Sequence, residues 1–79
     1  MPNEDGLNVG DCVILSVIPH IGKKGVICEI DRSWSRPYYV CFENLGGISR
    51  RKCRSGEFDK VECKPDWPVS LKKCRAAME

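Results

Sequence analysis

The chain alternates between short β-branched or aromatic runs and clusters of turn formers. Residues 1–8 are polar and turn-forming, which suits a loose leader. Residues 9–18 (Val-Gly-Asp-Cys-Val-Ile-Leu-Ser-Val-Ile) are rich in β-branched side chains and predict a first strand. Pro19, Gly22 and Gly25 break the next seven residues into a loop. Strand character resumes at 26–31 and, after a polar connection carrying Trp34 and Pro37, at 38–43 (Tyr-Tyr-Val-Cys-Phe-Glu). Asn44-Leu45-Gly46-Gly47 is a turn. Weaker signals predict a fourth strand at 48–54 and a fifth at 57–63, where the alternation is less clean. Pro65 and Pro68 then interrupt the chain, and Asp66 is a candidate helix cap. On a helix, Trp67, Leu71, Cys74 and Met78 fall on one stripe, with Lys72, Lys73 and Arg75 off it.

Five short strands with Gly-containing turns and no crossover helices predict a mainly β fold. The expected form is a small five-stranded antiparallel barrel over residues 9–63, with a short C-terminal helical extension at 64–79 packed on it. Closure is expected because an open sheet leaves two edges exposed. Inward Val13, Leu15, Val17, Tyr38, Val40 and Phe42 leave Cys12, Ile14, Val26, Cys28, Tyr39 and Cys41 facing out. That outer patch needs a cover, and the tail stripe is the available one. The same packing brings Cys74 near Cys28 and Cys41.

At 79 residues and a formal net charge of +2, the chain has room for one small core and little general attraction for phosphate. Hydrophobic residues at 42% and charged residues at 30% exclude a disordered chain. No apolar run reaches the roughly 18 residues of a membrane helix. Residues 1–20 lack a basic start followed by an apolar run, so a cytoplasmic setting is expected. In that setting the six cysteines are expected to be mostly reduced, packed thiols. Disulfides and zinc are the alternatives: Cys28, Cys41 and Cys74 with one further ligand could hold zinc, but the chain has no Cys-x-x-Cys pair, so no metal ligand and no cofactor are assigned.

The segments 10–15 (Gly-Asp-Cys-Val-Ile-Leu), 22–30 (Gly-Lys-Lys-Gly-Val-Ile-Cys-Glu-Ile) and 38–43 resemble a KOW-type SH3-like barrel over roughly residues 9–43. The shared pattern is a Gly-Asp-x-Val start, a Gly-x-x-Gly turn before a β-branched pair, and an aromatic strand ending in Phe-Glu. The resemblance implies a binding module of the transcription or translation machinery, gripping RNA, DNA or protein with loops and one barrel face. The six cysteines and the 67–78 segment depart from that pattern, and an added helix could cover a face that simpler relatives leave open.

Two candidate surfaces follow. Lys23 and Lys24 with Arg50, Arg51, Lys52 and Arg54 could grip phosphate, although cations on an edge strand also serve to block strand addition. Trp34, flanked by Arg32 and Arg36 and followed by Tyr39, could anchor a protein interface or stack a base. Near-neutral charge favours a protein partner in a larger complex, with the chain as adaptor or regulator. Direct RNA or DNA binding is the alternative. An enzyme is disfavoured: His20 is the lone histidine, and no Ser or carboxylate spacing builds a triad around it.

Overall fold

The computed structural model describes residues 6–78, with side chains through Ala76. Strands β1 (Cys12–Leu15), β2 (Lys24–Ile30), β3 (Tyr38–Asn44), β4 (Gly47–Cys53) and β5 (Phe58–Val61) form one antiparallel sheet in the order β4-β3-β2-β1-β5. A 3-10 turn (Ser55–Glu57) precedes β5, and helix α1 (Leu71–Met78) ends the described chain. The fold is mainly β, as the sequence predicts. β4 pairs with β3 and β5 with β1, so the expected closure between the outer strands is absent from the ladder.

The sheet is nonetheless strongly curled. On a flat sheet β3 and β5, three strand spacings apart, would stand about 14 Å from each other. The rings of Tyr38 on β3 and Phe58 on β5 meet edge to face at 5.6 Å between centroids. The concave face therefore wraps a core of Leu7, Val13, Leu15, Ile27, Tyr38, Val40, Phe42, Cys53 and Phe58. Leu7 joins this core although its neighbours read as a loose leader; residues 1–5 of that leader lie outside the described residues.

The convex face carries a second apolar cluster of Val26, Cys28, Cys41, Val69 and Cys74, edged by Tyr39, Ile48, Trp67 and Leu71. Apolar contacts thus cover both faces at β2 and β3, which is why those strands read as near-continuous apolar runs rather than as alternation. The tail covers Val26, Cys28 and Cys41 of the expected outer patch, with Tyr39 at the edge, while Cys12 and Ile14 lie outside this cluster. The covering segment also differs from the expected stripe in two ways. The helix begins at Leu71, and its first-turn acceptor is Ser70 rather than Asp66: Lys73 N donates to Ser70 Oγ at 3.1 Å. Trp67 lies before the helix and docks by donating Nε1–H to the Gly25 carbonyl at 2.9 Å. Met78, the last residue of the expected stripe, lies outside the described side chains.

β1 is shorter than expected. After Leu15 the backbone leaves the ladder, and Ile18 is exposed ahead of Pro19. Gly25, expected in the loop, instead lies within β2 opposite Phe42.

The β3–β4 hairpin turns on Leu45 and Gly46, both in the left-handed region at φ 51° and 80°. A two-residue turn of this hand follows the right-handed twist of the strands and prefers Asn before Gly. Leu45 is 98% exposed, so its side chain returns nothing for the conformation it is held in. Leu45→Asn should therefore stabilise the protein by up to about 1 kcal/mol. A denaturant titration giving an unchanged or lower midpoint would contradict this account of the turn.

Candidate functional site

The connection from β2 to β3 is built around Asp31. Its Oδ1 accepts from Ser33 N at 3.1 Å and Ser33 Oγ at 2.6 Å, and Asp31 N donates to Pro37 O at 2.8 Å. The Ser33 hydrogen bonds hold the Asp31 carboxyl below its ordinary pKa. This side-chain turn presents Trp34 at 53% exposure. Lys52 Nζ lies 4.4 Å from the Trp34 ring centroid and 5.6 Å from that of Tyr39. The Arg50 guanidinium lies 4.9 Å from the Tyr39 centroid.

Register explains this grouping. Tyr39 faces Lys52 and Cys41 faces Arg50 across the β3–β4 ladder, so the four groups share the convex face. Trp34, Tyr39, Arg50 and Lys52 form a continuous surface of aromatic rings and cations. Tyr39, Arg50, Arg51 and Lys52 also line a shallow cavity of about 150 Å³.

The other expected site residues are placed elsewhere. Arg51 has the opposite parity and turns to the concave side, where Nη1 lies 3.2 Å from His20 Nδ1 and Nη2 4.0 Å from Glu57 Oε2. The basic run 50–54 is thus split by the strand period. Arg54 leads into the 3-10 turn, its backbone N donating to Glu57 Oε1 at 2.9 Å. Arg36 donates Nε–H to the same oxygen at 3.1 Å and ties the Trp34 connection to that turn. The Arg54 amide and the two guanidinium groups keep the Glu57 carboxyl below its usual pKa. Arg32 lies 5.9 Å from the Tyr38 ring. Lys24 lies 5.6 Å from the ring of Trp67, at the tail, and Lys23 stays in the loop before β2. His20 packs against Phe42 at 4.5 Å between ring centroids.

The cysteines depart from the expectation of reduced thiols. Cys12 and Cys63 are joined in a disulfide, as are Cys41 and Cys74, and Cys28 and Cys53 are free and buried. Cys12 faces Val61 across the β1–β5 ladder, which brings Cys63, two residues on, within reach. Cys28 Sγ lies 3.0 Å from Cys41 Sγ and 3.2 Å from the Tyr39 carbonyl. Val69 completes the cluster around them and was not legible from the tail stripe, being off its period.

Burial pushes the Cys53 thiol up to about 11, against the pull of the Arg51 charge. An unfolded thiol ionises near 8.5. Above that pH the unfolded chain has released the Cys53 proton while the native chain still holds it. Stability from this group is therefore complete below about pH 8.5 and is lost as pH rises towards 11, with a limiting slope of about 1.4 kcal/mol per pH unit. Denaturant midpoints measured from pH 8 to 11 should fall less steeply in Cys53→Ala than in the native chain; parallel slopes would contradict the burial assigned to this thiol.

No protein family matches the chain, and neither a curated protein nor a solved structure shows significant similarity to it.

Proposed function

We propose that the chain is a non-catalytic docking module that holds a protein partner on the Trp34–Tyr39–Arg50–Lys52 surface. The observation that carries this reading is the half-exposed Trp34, fixed by the Asp31 turn and bordered by Lys52. A large ring already held in place loses little entropy on binding, and neighbouring cations favour a partner segment that joins apolar and acidic groups. The strand order, the curl and the Arg51–Glu57 approach between the β4 side and the β5 side support describing the fold as an SH3-like barrel with its edges left apart. Service as an adaptor or regulator in transcription or translation rests on the KOW-type resemblance of residues 9–43.

A second reading, direct binding of single-stranded RNA or DNA, is favoured by the interleaving of rings and cations, which suits stacked bases between phosphates. Capture from lysate on the immobilised chain, with and without nuclease, separates the two. Docking to protein predicts a band that survives nuclease and weakens in Arg50→Ala/Lys52→Ala. Retained material that vanishes with nuclease, and whose affinity falls steeply with salt, would replace protein by nucleic acid as the partner.

A cytoplasmic setting is part of the proposal, and among the described residues no helix is long and apolar enough to cross a membrane. The setting makes a sharp demand on Cys12 and Cys63, because a reducing compartment keeps most such pairs as thiols. Rapid alkylation of cells before lysis should then label Cys63. Complete protection of both residues would move the protein to an oxidising compartment.

A further inference from the structure

The sulfurs of Cys28, Cys41 and Cys74 lie within 4.8 Å of one another, contributed by β2, β3 and α1. All three residues are buried, and their surroundings are otherwise apolar: Val26, Val69, Leu71, Trp67 and Tyr39. A disulfide uses two of the three and leaves Cys28 as a thiol 3.0 Å from Cys41 Sγ, donating to the Tyr39 carbonyl at 3.2 Å. A metal ion uses all of them.

From this geometry we infer a buried three-thiolate site for a soft, thiophilic metal ion of low coordination number, with Cu(I) as the ion that fits it best. Sulfurs bonded at about 2.3 Å to one ion stand about 4 Å apart. The three lie within 4.8 Å of one another, and once the Cys41–Cys74 bond is reduced, Cys28 and Cys41 Sγ, now 3.0 Å apart, need open by only about 1 Å. Among the described residues no fourth Cys, His or carboxylate joins the group, whereas structural zinc takes four ligands. Thiolates suit Cu(I), zinc and iron–sulfur clusters alike, and of these it is Cu(I), a soft ion of low coordination number, that three sulfurs satisfy without a further donor. The site has two states. In one, Cys41 and Cys74 are a disulfide. In the other, a dithiol reductant has supplied two electrons and two protons to that bond, closing to its own disulfide, and the ion then displaces the three thiol protons to solvent. In the loaded state the ion, rather than the disulfide, fastens the tail helix to the sheet.

The test is an anaerobic titration of the reduced full chain with Cu(I) against a chromophoric chelator, followed by alkylation and peptide mass mapping. The expected result is one Cu(I) per chain, with Cys28, Cys41 and Cys74 slower to alkylate in the loaded chain than in the metal-free reduced chain, while Cys12 and Cys63 react alike in both. Cys28→Ser should weaken binding by at least about 100-fold, beyond what loss of an outer-sphere partner causes, while Cys53→Ser binds as the native chain does. Less than one equivalent bound, protection centred on Cys12 and Cys63, or Cys28→Ser binding as tightly as native would overturn the assignment. Circular dichroism establishes whether Cys28→Ser is folded; if it is not, the protection map of the native chain decides alone.

Discussion

Replacing Gly25 with alanine should lower the melting temperature by about 10–20 °C, the equivalent of roughly 2–3 kcal/mol in a domain of this size. Gly25 sits in β2 with its backbone pressed against β3. An added Cβ would stand 2.6 Å from the Cys41 carbonyl oxygen, 2.9 Å from Val40 Cγ1 and 3.2 Å from Phe42 Cβ. The carbonyl belongs to backbone inside the sheet and cannot swing aside as a side-chain tip would. Gly25 also accepts the Trp67 indole hydrogen bond, so displacing β2 loosens the tail along with the sheet. Gly56→Ala is the matched control: its Cβ meets open space, and a change within about 0.5 kcal/mol is expected. Thermal melts of the two variants decide the matter, and equal melting temperatures would refute the close β2–β3 approach.

Trp34→Ala should weaken partner binding by about 30-fold or more, the loss typical of an interface anchor. Stability should change little, within about 0.5 kcal/mol, because the ring is half exposed and belongs to neither core. The pairing of large binding loss with unchanged melting is the signature of an anchor. A Trp34 that merely closed one end of the sheet would show the reverse. Isothermal titration against the captured partner, alongside a melt of each variant, reads both quantities.

Much of this arrangement follows from strand parity. Val13, Leu15, Tyr38, Val40 and Phe42 alternate with the outward set, and they do fill the concave core. The outward Val26, Cys28 and Cys41 then demand the cover that Trp67, Leu71 and Cys74 supply. The meeting of three cysteines was legible for that reason, from period two on the strands and the helical spacing of the tail. The same period assigns Arg51 to the face of Cys53, so the splitting of the basic run was readable from residues 50–53 once their strand was accepted. Other features depend on tertiary distance. Leu7 and Val69 are single apolar residues in turn-rich segments, and nothing local marks them as buried. The end of β1 at Leu15 overrides the β-branched Val17 and Ile18, which have high strand propensity but no partner strand there. The pairing of Cys12 with Cys63 needs the β1–β5 register, which spacing along the chain does not contain. Trp34 looked accessible because its neighbours are polar. Its contact with Lys52 could not be read without knowing that β4 lies beside β3.

The most direct test of the docking surface is a ¹H–¹⁵N NMR titration of the isotopically labelled chain with the partner recovered after nuclease. Docking on the convex β3–β4 face predicts that the largest shift changes fall on the Trp34 indole and on the amides of Ser33–Ser35, Tyr39, Arg50 and Lys52. Changes centred instead on the loop around Ile18, Ile21 and Lys23, or on α1, with Trp34 unmoved, would contradict the account.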